Sequence, residues 1–291
     1  MSFLDDLETS EEIINGPYFG ILYGPPGVGK TFLCKHAERP FYVALEKGVE
    51  KVDGVGKFVK NDEIIMPNNE DQFFQMLQYF VKKDHDYKTI VIDSGMFADK
   101  LIIERIIDDS TVEVDVNGIK KRAIMKKDGY KIIGSIADFD YGIGYAQVVS
   151  TWEKRFFTAL KYLHKKDLNV ILIAHSRYKN VTDSQGNDYK KYGIDMAEFG
   201  IYSVPNLLSA KADWVLFMRS EVETKKTRNT FGTVKSVADI DKVPEITVYT
   251  RGTSAFDAKI RTAKIENVQD QYVIDINNPD TSKKLFEDLR K

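Results

Sequence analysis

One cysteine, Cys34, stands in a chain of 291 residues, so no disulfide can close within it. That suits a reducing cytoplasm, where we expect the protein to reside. The four histidines are scattered, and no Cys/His spacing suggests a zinc site. No apolar run is long enough to span a bilayer, and the acidic start Met1-Ser2-Phe3-Leu4-Asp5-Asp6 is unlike a signal peptide, so no membrane partner is expected. The formal net charge is only -2, so no whole-chain field draws the protein to nucleic acid, and any such binding must use a local patch. Internal repeats and low-complexity stretches are lacking too. What remains is the composition of an ordinary globular protein, long enough for one large domain or two small ones.

Against that background one stretch stands out, Phe19-Gly20-Ile21-Leu22-Tyr23-Gly24-Pro25-Pro26-Gly27-Val28-Gly29-Lys30-Thr31. A short apolar run ends in a glycine-rich loop and a helix-forming run follows, which fits the phosphate-loop pattern G-x-x-x-x-G-K-[ST] at every fixed position. Gly24, Gly27 and Gly29 allow positive φ and a backbone wrapped closely around an anion. The loop N–H groups and the start of the helix then point at phosphates. Lys30 supplies a point charge for the β- and γ-phosphates, and the Thr31 hydroxyl is placed to ligate Mg²⁺. The predicted nucleotide contacts are Gly24, Pro25, Pro26, Gly27, Val28, Gly29, Lys30, Thr31 and Phe32, with ATP and Mg²⁺ as cofactors.

Along the chain, residues 1–16 read as an acidic extension with one short helix. Apolar runs at 18–23, 41–45, 89–93, 170–174 and 214–218 read as buried strands, and amphipathic helices separate most of them. Phe73, Met76, Leu77 and Phe80 share one helix face, capped by Asn68 or Asn69. Residues 108–140 break the pattern as a hairpin-bearing insertion, with Asn117-Gly118 as the turn. Ser176 to Pro205 reads as a long polar loop. A charged hairpin is expected from Glu221 to Val237, further strands at 245–250 and 257–263, and a surface helix from Ser282 to Lys291. Strands alternating with helices predict an α/β fold, a mostly parallel sheet with helices on both faces. The domain limits are 17–265 for the core and 266–291 for a tail.

Four polar residues follow four of these strands: Lys30, Glu46, Asp93 and His175. In a parallel sheet they converge at the carboxyl edge, where ligands bind. Asp93 fits the carboxylate that holds Mg²⁺ with Thr31. Glu46 is either the base that orients the attacking water or a solvated loop acid. His175 either senses the γ-phosphate or satisfies backbone groups at a strand end. Late in the chain, Lys259 and Arg261 alternate onto one face. They are either a solvated basic face or fingers reaching a neighbouring subunit's γ-phosphate.

Gly24 to Thr31, Glu46, Asp93, Asp140-Tyr141-Gly142-Ile143-Gly144-Tyr145, Ile173-Ala174-His175-Ser176 and Ala258-Lys259-Ile260-Arg261 occur in an order that resembles phage-type RecA-like P-loop ATPases, AAA-family proteins that include phage single-strand annealing ATPases. The resemblance covers about Pro17 to Ala263. It implies a RecA-like core and a catalytic glutamate after the second strand, where Glu46 stands. It also implies cationic fingers at Lys259 and Arg261. The activity implied is ATP-driven assembly of a homo-oligomer on single-stranded DNA for annealing or strand exchange, in the host cytoplasm if the gene is a phage's, with a single-strand binding protein as a further partner. The insertion at 108–140 and the residues after Ala263 depart from the pattern.

Contact with DNA needs local positive charge. The insertion offers Lys120, Lys121, Arg122, Lys126, Lys127 and Lys131, and the long polar segment offers Arg177, Lys190 and Lys191 among tyrosines. Cations interleaved with aromatic rings suit single strands. The competing reading of each segment is a solvated hairpin and a mobile loop. A small-molecule or nucleotide kinase, and a nucleotide-gated scaffold without DNA activity, stay open as alternatives.

Overall fold

The computed structural model describes residues 16–221, 224–228, 234–238, 245–261, 268–275 and 278–290. The helix expected within residues 1–15, and residues 262–267 at the expected end of the core, lie outside them. Strand β1 (Phe19–Gly24) is buried along its whole length and runs into α1 (Lys30–Cys34). This helix is short and stops at Cys34. Beyond it, His36 and Ala37 donate to carbonyls three residues back, the tighter geometry of a helix end, and Pro40 opens the next strand. That strand, β2 (Pro40–Ala44), has every residue buried. Three two-residue strands follow, β3 (Gly56–Lys57), β4 (Val59–Lys60) and β5 (Glu63–Ile64).

Helix α2 (Glu70–Lys82) is capped by Asn69, whose side chain accepts from the Gln72 N–H, satisfying one of the donors a helix start leaves free. Strand β6 (Thr89–Asp93) is again wholly buried and leads into α3 (Gly95–Ser110). The insertion is a three-stranded antiparallel meander, β7 (Val112–Val116), β8 (Ile119–Lys126) and β9 (Gly129–Ile132). Asn117 and Gly118 both have positive φ at its first turn, as a two-residue hairpin of this hand requires. The long helix that follows is α4 (Ile143–Thr151), a π-helical turn at Trp152–Phe156, and α5 (Phe157–His164).

The segment expected as a loop from Ser176 to Pro205 is largely regular structure. β10 (Asn169–Thr182) runs past His175 and folds back on β11 (Asp188–Ile194) as an antiparallel ribbon. A small hairpin, β12 (Glu198–Phe199) with β13 (Tyr202–Ser203), leads to α6 (Val204–Lys211). β14 (Trp214–Glu221) is longer than its apolar run. β15 (Thr224–Arg228) and β16 (Val234–Ala238) form the expected charged hairpin. β17 (Glu245–Tyr249), β18 (Lys259–Ile260), β19 (Gln271–Ile274) and α7 (Pro279–Arg290) complete the chain. The final helix is not simply a surface one, because Leu285, Phe286 and Leu289 are buried.

The main sheet has the order β19-β17-β14-β1-β10-β6-β2-β3. From β14 to β3 neighbouring strands are parallel, while β17 and β19 add antiparallel at the far edge. Two apolar cores sandwich it. One joins Phe73 of α2, Ile102 of α3, Val148 of α4 and Leu208 of α6 to one face. The other joins Leu33 and Cys34 of α1 and Leu285 of α7 to the opposite face. The mostly parallel α/β fold with helices on both sides is thus the one expected, and the buried faces explain why its central strands read as unbroken apolar runs. Among the described residues no helix is long and apolar enough to cross a membrane.

Candidate active site

The adjacent strands β1, β6 and β2 end in the phosphate loop, Asp93 and the turn bearing Glu46, and β10, which lies between β1 and β6, carries His175 at the same edge. The phosphate loop leaves β1 at Gly24. Gly24 does not have positive φ, whereas Gly27 (φ 77°) and Gly29 (φ 99°) do. Gly24 is required for another reason: a Cβ there would lie 1.9 Å from the Met218 carbonyl oxygen on the neighbouring strand. At Gly27 a Cβ would meet nothing within 4 Å, so the loop encloses open space on that side.

Lys30 is buried and turns its Nζ onto its own loop, donating to the carbonyls of Gly24 at 2.9 Å and Pro25 at 2.8 Å. Burial pushes its pKa down to about 8, against the pull of Asp93 and Glu46. The Thr31 hydroxyl donates to Asp93 Oδ2 at 2.6 Å. Asp93 is 2% exposed, and its pKa is pushed up to about 6, first by burial and further by the nearby Glu46 carboxylate. A carboxylate held out of water is short of positive charge, and a buried lysine resting on neutral carbonyls is short of negative charge. A triphosphate with its divalent cation supplies both. The residues present therefore fit ATP and Mg²⁺, with Lys30 and the loop N–H groups on phosphate oxygens and Thr31 and Asp93 at the metal. Among the described residues no three His, Cys, Asp or Glu gather as a metal site, and a cation held largely by phosphates needs no such cage.

Glu46 and His175 meet at this edge, Oε1 to Nε2, at 3.3 Å. Each side chain is about one-fifth exposed, 21% and 22%. Burial alone would raise the Glu46 pKa, but hydrogen bonding by His175 and the adjacent Ser94 outweighs it and holds the carboxyl below its usual range. Ser94 is a residue that the sequence pattern did not single out. Its side chain is buried beside Glu46. It directly follows Asp93, and that adjacency was the signal in the sequence.

Lys259 and Arg261 are not in this cluster. β18 pairs with the first residues of β14, Val215 opposite Lys259 and Trp214 opposite Ile260, whereas the loop leaves the sheet beside Met218. Arg261 donates to the Ala210 carbonyl at 2.9 Å. The basic residues of the two outlying segments are mostly paired: Lys120 with Glu113, Arg122 with Asp108, Lys126 and Lys131 with Asp140, Arg177 with Asp195 and Glu198, and Lys191 with Asp257. Lys121, Lys127 and Lys190 are exposed.

With the geometry described, the comparison with known families decides what the loop belongs to. The AAA domain family matches residues 17–262. The chain belongs to that family. No curated protein matches the sequence. The match takes in the phosphate loop, Glu46, Asp93, His175 and the whole insertion. AAA domains bind ATP with Mg²⁺ and hydrolyse it, and in this AAA domain the phosphate loop, Glu46, Asp93 and His175 lie along one sheet edge.

Proposed function

We propose that this AAA domain is a RecA-like ATPase that hydrolyses ATP in response to single-stranded DNA, in recombination or annealing. The observation that carries the reading is the Glu46–His175 contact at 3.3 Å. Glu46 stays ionised near neutral pH, so it can accept a hydrogen bond from a water and orient it toward the γ-phosphate. His175 lies within β10, the strand that extends directly into the β10–β11 ribbon carrying Arg177, Tyr178, Lys190 and Lys191. A γ-phosphate that competes for His175 therefore alters both the state of the base and the root of the ribbon.

Mg²⁺ supplies neutralisation of developing phosphate charge when bound. The chain's own residues do the rest. Lys30 exchanges its loop carbonyls for phosphate oxygens. The Thr31 hydroxyl and Asp93 are already aligned by their mutual hydrogen bond. Lys259 and Arg261 lie away from this chain's own loop, and in this reading they serve the nucleotide of a neighbouring copy in a homo-oligomer. Rates of phosphate release with and without single-stranded DNA test the reading. Stimulation by the strand supports it. An unchanged rate with no binding at low salt, or transfer of phosphate to an added acceptor instead of water, overturns it.

A further inference from the structure

Four of the exposed large hydrophobic residues lie on two turns that pack together. Tyr141 is 94% exposed and Ile201 is 90% exposed, with Phe199 and Ile143 more than half exposed. They belong to one surface. Tyr145 stacks on Phe199 with ring centroids 5.4 Å apart and planes 22° from parallel. A Cβ on Gly142 would lie 2.8 Å from the Phe199 ring and 3.6 Å from the Tyr202 ring, so the turn that carries Tyr141 packs against the β12–β13 hairpin. Ile201 forms the turn of that hairpin with Gly200. Tyr141 itself is held at φ 54°, a region that non-glycine residues seldom occupy and that tends to mark functional positions. A contiguous apolar group of this kind on a polar surface marks a contact site.

Its rim decides the chemistry of the partner. Asp140, one residue before Tyr141, is bonded by Lys126 and Lys131 of the meander, which pull its pKa down to about 2. Glu198, one residue before Phe199, is bonded by Arg177 and Lys179 of the ribbon. Each carboxylate thus anchors two cations beside a ring, and the two basic segments flank a single aromatic surface. Flat rings between cations match a polyanion whose bases are free to stack, which is a single strand and not a duplex.

We propose that Tyr141, Tyr145, Phe199 and Ile201 form a platform on which bases of single-stranded nucleic acid stack, while the cations of the meander and ribbon follow its phosphates. The proposal rests on the single-strand reading above and adds the place where the bases go.

The test uses the full chain, a labelled oligothymidylate and fluorescence anisotropy across a salt series. Tyr141→Asn suits the positive φ, and Ile201→Ser changes a side chain that is almost wholly in solvent. Each substitution is expected to weaken binding about tenfold and to leave the slope of log affinity against log salt unchanged. Lys127→Ala and Lys190→Ala should instead lower that slope, by about one unit for each phosphate deprived of its cation. If the wild type binds and the Tyr141→Asn/Ile201→Ser double variant binds equally well, the platform is wrong and the single-strand reading survives. If the wild type does not bind, both fall. If the double variant changes its mass by light scattering at unchanged DNA affinity, the surface is an interface between copies of this chain and the proposal is overturned.

Discussion

Glu46 and His175 touch across the end of the strand that lies between theirs. β6 separates β2 from β10, and the contact closes just beyond Asp93, at 3.3 Å. Glu46, Asp93 and His175 therefore sit side by side at one edge of three neighbouring strands, and their charge states are linked. Glu46 is one of the causes that raise the Asp93 pKa, and His175 is one of the causes that lower that of Glu46.

Replacing Glu46 with glutamine keeps the size of the side chain and removes its capacity to take up a proton. If Glu46 orients water, Glu46→Gln should lower ATP turnover by about 10²- to 10⁴-fold while nucleotide binding stays near wild type. Single-turnover hydrolysis together with equilibrium binding of a labelled ATP analogue separates the two. Turnover within about twofold of wild type would assign Glu46 to the solvated loop acids, the alternative its sequence position allows.

His175→Ala makes a different prediction. Without the imidazole, burial acts on Glu46 against less hydrogen bonding, so its pKa rises. A base must be deprotonated to work, so the acid limb of the pH–rate profile should move to higher pH in His175→Ala. The stimulation by single-stranded DNA should also drop toward unity, because the ribbon root no longer has its link to the base. An acid limb that stays in place would mean that the contact does not tune Glu46.

The central strands were legible because burial on both faces removes alternation. Ile21, Val43, Val91 and Ile171 all stand in apolar runs that nothing but a covered sheet would tolerate. The convergence of Lys30, Glu46, Asp93 and His175 followed from that parallel order. The ribbon was not legible. After His175 the residues Ser176, Arg177, Tyr178 and Lys179 are polar or half exposed, so neither an apolar run nor an apolar face marks the strand. Its regularity comes from pairing with β11, and its one signal in the sequence was the turn at Asp183-Ser184-Gln185-Gly186-Asn187 between two tyrosine-bearing runs. The platform was hidden for a similar reason. Tyr141 and Phe199 are far apart in sequence, and it is the packing of Gly142 and Tyr145 on the β12–β13 hairpin that joins them.

The two kinds of glycine in the phosphate loop should separate by stability. Gly24→Ala places a Cβ 1.9 Å from a backbone oxygen of β14, and strands held in a ladder cannot part locally without breaking hydrogen bonds. A cost of about 3 kcal/mol or more is expected. Gly27→Ala meets no atom within 4 Å and pays only for its positive φ, about 1–2 kcal/mol. Urea unfolding at neutral pH should rank Gly24→Ala below Gly27→Ala, and the reverse order would show that β1 and β14 can yield at that point.

Asp93 gives the clearest link between site and stability. Its pKa in the fold is about 6 against 3.8 ordinarily, so the native state holds its proton more tightly than the unfolded chain does. The stability this provides is full below about pH 4 and is lost as pH rises through about 6. Above that, the ionised buried carboxylate costs roughly 3 kcal/mol, from a shift of about two pH units. Asp93→Asn removes the charge and keeps an oxygen for the Thr31 hydroxyl. Its amide carries a smaller burial cost, so a net gain of about 1–2 kcal/mol is expected near pH 7.5. That corresponds to a rise in Tm of roughly 2–8 °C, and at about pH 4 the gain should vanish. The same variant should lose ATP turnover, and added Mg²⁺ with an ATP analogue should raise its Tm less than that of the wild type. Thermal melts of both proteins at the two pH values, with and without nucleotide, measure all of this. A variant less stable than wild type near pH 7.5 would mean that Asp93 is not held at a cost, and that its charge is already compensated within the folded chain.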